Sequence, residues 1–378
     1  RLFLSNDTSP SEIYPLPRND ARPVWPCKSR GQPIRSGTER KSCGQGCNWE
    51  EIMSKFVKLA AVLAAGVVAL GSAASAKTLR LNHNNPEDHP LHKSMQFMAE
   101  RVEELTDGDL KIRIYANAQL GTQRESMELM QNGSLDMARS NASELEAFEE
   151  SYGALNLPYI FVSADHYYDV LTNDIGADIL ASSEDKGFIG LAYYIEGARS
   201  FYANKAIHSP ADLKGMKIRV QPSPSAIRMV ELLGANPTPI AWGELYSALQ
   251  QGVVDGAENN PIALTSARHG EVSKFYSDDG HTMIPSVVMI STSSWNDLTD
   301  EQKEAMRTAA RESMDFHREQ WDAMSAEAVE TAKSELGVEF VEVEKGPFIE
   351  AVLPMHEEAA AKSPVVADLI KRIKAAAQ

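Results

Sequence analysis

Residues 78–115 read TLRLNHNNPEDHPLHKSMQFMAERVEELTDGDLKIRIY, and their periodicity changes twice. Thr78–His83 alternates apolar and polar residues, the pattern of a strand with one buried face. Leu91, Met95, Met98, Val102 and Leu105 then recur at helical spacing, so Leu91–Leu105 presents one apolar stripe. Thr106-Asp107-Gly108-Asp109 makes a turn, and Leu110–Tyr115 alternates again. Strand, helix and strand in this succession are the unit of an α/β protein with a mostly parallel sheet.

The same grammar continues downstream. Gly121-Thr122 opens a helix carrying Met127, Leu129 and Met130, Asn132-Gly133-Ser134 stops it, and Leu135–Ala138 is a short buried strand. Phe188–Ile195 and Ser200–Asn204 read as strands around a Glu196-Gly197-Ala198 corner. Lys217–Val220 is a strand, Ala226–Leu233 a helix ended by Gly234, Trp242–Gln251 a helix ended by Gly252, and Val253–Ala257 a strand. The expectation is two α/β lobes, lobe I from 77–198 and lobe II from 199–262 and onward. The chain is expected to cross near Arg199–Ala206 and to return near Asn259–Leu264. Leu298-Thr299-Asp300-Glu301 is a helix start, with Thr299 or Asp300 as cap and acids in the first turn. No Pro or Gly follows until Gly337, so a helix over 299–336 would run roughly 55 Å at 1.5 Å per residue. That exceeds one lobe, so the helix either braces both or breaks near its middle. Residues 337–378 add a strand at Val338–Val343 and helices near Pro347–Glu358 and Ser363–Ala377.

Ahead of the first strand the sequence changes character. Met53, the basic Lys55 and Lys58, the apolar run Leu59–Leu70 and Ala74-Ser75-Ala76 form a secretory signal peptide over 53–76, with cleavage expected before Lys77. A retained anchor is the rival reading, but the run is too short to span a bilayer. Residues 1–52 are irregular and proline-rich and read as an upstream extension or disordered leader. They hold every cysteine of the chain, Cys27, Cys43 and Cys47, and a Cys43-x3-Cys47 half-site has no second pair to complete a zinc site. The expected product is periplasmic, needs no disulfide, and has no membrane anchor once the leader is removed.

The formal net charge is −16, and residues 77–378 are more acidic still, with 27 Lys and Arg against 47 Asp and Glu. Such a balance disfavours nucleic acid and anionic membranes as partners. Enzyme signatures are missing: no His-Glu-x-x-His, Gly-x-Ser-x-Gly, phosphate loop or dinucleotide fingerprint occurs. No catalytic residue, cofactor or metal is expected, and the protein is read as a non-enzyme. His83, His89 and His92 cluster by the first strand, but no carboxylate pattern completes a metal site. They are loop histidines or hydrogen-bond partners of a ligand.

Arg219 stands out, since it lies in the apolar strand Lys-Ile-Arg-Val-Gln-Pro just before a loop. At the end of a strand in an open α/β lobe it would face the crevice where ligands bind. Its planar fork can grip a carboxylate with two hydrogen bonds. The competing reading is a surface salt bridge. Gln221, two residues on, shares its strand face.

Several runs together resemble the substrate-binding proteins of tripartite ATP-independent periplasmic (TRAP) transporters, of the dicarboxylate-binding DctP type. They are Asn82-His83-Asn84, Leu120–Glu125, Asn132-Gly-Ser-Leu-Asp136, Ser209–Gly215, Ala248–Gly252 and Val254-Asp-Gly256. The resemblance spans essentially all of 77–378. It implies a two-lobed periplasmic-binding-protein fold with hinge-crossing strands and a long helix spanning both lobes. It also implies closure on ligand and delivery to membrane permease subunits. By matched motif it implies that Arg219 makes the main carboxylate salt bridge, Arg199 assists, Trp242 lines the pocket, and Asn259 contacts ligand. The loops of His83, Asn84 and His89, and of Ser140, Asn141 and Glu144, are expected to face the cleft from lobe I.

So many polar groups exceed what a dicarboxylate needs. Glu144 would repel a second carboxylate but accept from sugar hydroxyls, and Trp242 offers a flat face for a ring. The leading expectation for the ligand is therefore a hexuronate or related sugar acid. C4-dicarboxylates, 2-oxo acids and aromatic acids are alternatives. A periplasmic enzyme or a ligand-presenting sensor module would be a different class.

Overall fold

The structure, a computed structural model, describes residues 76–377. The leader and signal-peptide readings therefore lie outside the described residues, apart from Ala76.

Lobe I begins with β1 (Lys77–Asn82), α1 (Pro90–Leu105), β2 (Leu110–Tyr115), α2 (Gln123–Gln131), β3 (Met137–Asn141) and α3 (Ala142–Leu145). A 3-10 turn at Glu150–Asn156 leads to α4 (Ala164–Thr172), α5 (Asp174–Ala181) and β4 (Phe188–Tyr194). Lobe II follows with β5 (Arg199–Ala203), α6 (Pro210–Leu213), β6 (Lys217–Val220), α7 (Pro224–Leu232) and β7 (Asn236–Pro239). It continues through α8 (Leu245–Gln250), β8 (Gly256–Asn259), α9 (Ile262–Ser266), α10 (His269–Val272) and β9 (Phe275–Thr282). The chain then adds β10 (Ser286–Ser291), α11 (Thr292–Asn296), α12 (Asp300–Ser334), β11 (Glu339–Glu342), α13 (Gly346–Val352), α14 (Pro354–Lys362) and α15 (Pro364–Ala376).

Local chemistry places these boundaries. His89 caps α1 by accepting from the Leu91 amide, and Pro90 sits where no amide partner is needed. Thr122 and Glu125 form a reciprocal capping box on α2, and Thr299 with Gln302 forms another on α12. Trp242–Gln251, expected as one helix, is a short 3-10 turn over Trp242–Glu244 followed by α8.

The two sheets are ordered β2-β1-β3-β10-β4 and β11-β9-β5-β8-β6-β7. Each is mostly parallel with one reversed strand. In lobe I that strand is β10, antiparallel to β3 and β4. In lobe II it is β5, antiparallel to β8 and β9. These are the strands delivered by the two crossings, because a chain leaving one lobe enters the next running the other way. The outward crossing is the Ile195–Ala198 corner. The return lies at 283–285, between β9 and β10, and corrects the expected return at 259–264. Pro261 ends a strand and begins α9 inside lobe II, whereas Pro285 occupies the true crossing, where its carbonyl accepts from the Ala142 amide at 3.0 Å.

The expected long helix is present and unbroken. Its first half buries Met306, Ala309 and Ala310 with Met95, Met98 and Val102 of α1 and Tyr194 of β4. Its far end buries Ala332 among lobe II residues Tyr202, Leu264 and Tyr276. Among the described residues no helix is long and apolar enough to cross a membrane.

Candidate functional site

Both sheets point the ends of their strands at one cleft. There a cavity lies between the lobes. Lobe I lines it with Asn84 and His89 from the loop after β1, Asn141 at the end of β3, and Gln123 at the start of α2. Lobe II contributes Arg199, Gln221, Trp242 and Asn259. These include seven residues expected from sequence: Asn84, His89, Asn141, Arg199, Gln221, Trp242 and Asn259.

Four other expected residues do not line the cavity. His83 is buried, its Nε2 paired with His92 Nδ1 at 2.9 Å and its Nδ1 accepting from the Asn85 amide. Ser140 is a parity error: on β3 the residues Arg139 and Asn141 share one face and Ser140 points to the other. Glu144 stands one layer back, its Oε1 accepting from Gln123 Nε2. Arg219 also lies outside the lining. It is buried beside a residue that does line the cavity, with Cζ 5.9 Å from the centre of the Trp242 ring.

The sequence reading missed Arg139, Glu196, Gln123, Asn85 and Asn260, all of which line the cavity. Arg139 organises the lobe I wall. Its Nη2 donates to Glu196 Oε1 at 2.7 Å, Nε to Ser286 Oγ at 2.6 Å, and Nη1 to Asn84 Oδ1 at 3.1 Å. Asn141 Nδ2 donates to the same Glu196 oxygen at 3.2 Å. Two features of the sequence mark Arg139: strand parity with Asn141, and an arginine inside a buried strand of an acidic chain.

Lobe II carries a second buried ion pair. Arg199 Nε donates to Glu258 Oε2 at 2.7 Å, Nη2 to Glu258 Oε1 at 3.0 Å, and Nη1 to Asn259 Oδ1 at 2.7 Å. Behind Glu258 stands His281, whose Nδ1 is 2.8 Å from Asp279 Oδ2. Burial works against the His281 charge, yet Asp279 and Glu258 outweigh it and raise its pKa to about 9. Burial likewise opposes the Glu258 charge, but Arg199 and His281 hold its pKa at about 2. Arg199, Glu258 and His281 are therefore charged near neutral pH.

Arg219 differs from both of these arginines. Its Nε donates to the Ile240 carbonyl at 2.9 Å, and Nη1 is buried with no hydrogen-bond partner. Among the described residues no carboxylate forms a salt bridge with it, whereas Arg139 has Glu196 and Arg199 has Glu258. Burial pushes the Arg219 pKa down, with Glu258, the largest opposing influence, too weak to restore it. Burial also pushes the Glu144 carboxyl up, against the attraction of Arg219 and Arg139. Burying an unpaired guanidinium costs several kcal/mol. The site can therefore accept one anionic group beside Arg219, with amides, a flat indole and carboxylates disposed around it.

The model of the family described as "Bacterial extracellular solute-binding protein, family 7" (DctP) matches residues 81–363. A Salmonella typhimurium protein is 40% identical over 289 residues, covering 76% of this chain and 88% of that protein. A solute-binding protein of Chromohalobacter salexigens is 31% identical, covering 85% of this chain and 96% of its own. The crystal structure of a TRAP periplasmic solute-binding protein from Xanthobacter autotrophicus, with bound β-D-galacturonate, superposes with a TM-score of 0.77 at 38% identity. It covers 79% of this chain and 99% of that one. One from Anaerococcus prevotii, with bound D-glucuronate, gives 0.77 at 35% identity, covering 79% of this chain and 98% of its own. With its two lobes, its crossing strands and its cleft, the chain belongs to the DctP family of bacterial extracellular solute-binding proteins.

Proposed function

We propose that this protein captures a hexuronate, D-glucuronate or D-galacturonate, outside the cytoplasm and presents it to the membrane permease of a TRAP transporter. The observation that carries the proposal is the buried, uncompensated charge of Arg219. The two other arginines named in the site are paired with Glu196 and Glu258, so Arg219 is the one of the three left without an ion-pair partner among the described residues. That charge suits a monocarboxylate. In this reading the ligand carboxylate meets Arg219 and Arg199, with Asn259 completing its shell. Asn84, Asn141, Gln123 and Gln221 then meet the hydroxyls, and the pyranose ring lies against Trp242. Similar structures from two organisms hold galacturonate or glucuronate in this fold, which supports the choice of sugar acid.

Cleft closure follows from the same arrangement. Groups of both lobes complete the shell, so the ligand binds the closed form better and shifts the hinge equilibrium toward it. Calorimetric titration against D-glucuronate, D-galacturonate, succinate and 2-oxo acids tests the reading. Saturable binding of a hexuronate, with unchanged ligand recovered afterwards, is the expected result. Tight binding of succinate with no response to any uronate would assign the dicarboxylate role instead, and turnover of the sugar would make the protein an enzyme.

A further inference from the structure

Outside the cavity, the two ligand-facing loops are bonded directly to one another. The loop of lobe I runs from β3, which carries Arg139 and Asn141, into α3 and Glu146. The loop of lobe II runs from β6, which carries Arg219, through Gln221 to the start of α7. Glu146 Oε1 accepts from Ser223 Oγ at 2.6 Å and from the Ser225 amide at 2.9 Å. Its Oε2 accepts from Ser225 Oγ at 2.6 Å. Within lobe I, Asn156 Nδ2 steadies the carboxylate at 3.1 Å. One residue pair nearer the ligand, Ser143 Oγ bonds Gln221 Oε1 at 2.7 Å.

Glu146 thus sits on the first turn of α7, where free amides and the helix dipole favour an anion. Ser223 is the cap of that helix, its Oγ also accepting from the Ala226 amide at 3.0 Å. The seam continues outward. Arg228 of α7 grips Glu358 of α14 with bonds of 2.9 and 2.7 Å. Helix α14 is itself fastened to lobe I, where His356 Nε2 meets the Pro158 carbonyl at 2.8 Å. The Arg228–Glu358 pair is partly exposed and contributes little in salt. The Glu146 contacts are charge-assisted and partly buried, so they dominate the seam.

We propose that Glu146 is a closing latch: a positioning residue that fastens the Ser223–Ser225 segment of lobe II to lobe I and so sets how long the cleft stays shut. None of its bonds involves the ligand, and neither Glu146 nor Ser225 lines the cavity. The latch therefore favours closure with the cleft empty as well as filled. A ligand supplies only the remaining part of the closing free energy, and its release waits on breaking the Glu146 contacts. The inference depends on the proposed function only for the identity of the ligand.

The test has an arm without ligand. Spin labels are placed on Glu128→Cys in lobe I and Lys214→Cys in lobe II, both exposed, with Cys27, Cys43 and Cys47 replaced by Ser wherever the leader is retained. Glu146→Gln is expected to move the ligand-free inter-lobe distance distribution toward longer values. In stopped-flow titration with D-glucuronate, Glu146→Gln is expected to raise koff roughly tenfold and leave kon within about twofold, since closure follows encounter. Ser225→Ala should act in the same direction, and the double variant should add little to Glu146→Gln. Unchanged ligand-free distances in Glu146→Gln would overturn the latch. So would full additivity of the two substitutions. Absence of any glucuronate binding by the unmodified protein would count against the proposed ligand and leave the distance arm intact.

Discussion

The Arg199 guanidinium is clasped by both oxygens of Glu258, at 2.7 and 3.0 Å, with both side chains buried. Twenty residues along the chain, Arg219 is equally buried and has no such partner among the described residues. The contrast divides the labour of the site. The Arg199 charge is already balanced by the protein, while the Arg219 charge awaits an anion. Removing the balance should be costly: Glu258→Gln leaves a buried guanidinium without its counter-charge and should destabilise the protein by roughly 3–5 kcal/mol. Urea denaturation of the ligand-free protein measures this, and a loss below about 1 kcal/mol would contradict the pairing.

Charge counting also predicts selectivity. D-glucarate has the glucuronate skeleton with a second carboxylate at the other end of the chain. That group would have to enter a wall where Arg139 is already paired with Glu196, so no unpaired cation there offsets the loss of its hydration. Glucarate should bind at least about tenfold more weakly than glucuronate, a difference of about 1.4 kcal/mol. Competition calorimetry reads the ratio, and equal affinities would contradict the single-charge account.

Trp242 covers Arg219 at 5.9 Å and lines the cavity. Trp242→Ala removes a cation–π contact and an apolar face for the ring together, and should weaken hexuronate binding by about ten- to thirtyfold. Trp242→Phe keeps a flat face and should stay within a few-fold of the unmodified protein. Titration of both variants checks the order; equal losses would remove the ring-stacking role.

Stability should fall on both sides of neutrality. Burial chiefly holds His83 and His269 at about 3 and His317 at about 4, below the ordinary 6.5. A depressed histidine favours the folded state above pH 6.5, and that contribution is lost as the pH falls. His281 has the opposite sign. Its pKa is raised to about 9, so its contribution is complete below pH 6.5 and is lost as the pH rises through 9. Melting temperature measured from pH 4 to pH 10 should fall on both sides of a neutral maximum, and His281→Gln should flatten the alkaline limb. Survival of that limb in His281→Gln would mean that another group causes it.

Much of this was legible in the sequence because the signals were local. The β1–α1–β2 unit follows from periodicity alone, and α12 follows from a capping box and a long stretch without Pro or Gly. The crossings and the charge balance were not legible in that way. The pairs Arg139–Glu196 and Arg199–Glu258 join residues far apart in sequence, and no local pattern says which carboxylate serves which arginine. Ser140 was expected in place of Arg139 because Ser140 and Asn141 were given one face, whereas neighbours on a strand alternate and Arg139 shares the face of Asn141. The return crossing was misplaced for a related reason: Pro261 and Pro285 look alike in sequence, and only strand pairing tells them apart.

The most direct test of the central claim is calorimetric titration of Arg219→Lys with D-glucuronate. Lysine keeps the positive charge and loses the planar fork, so the account predicts a Kd raised by roughly a hundredfold, about 2.7 kcal/mol, with the fold intact by circular dichroism. A Kd equal to that of the unmodified protein would show that the carboxylate is held elsewhere.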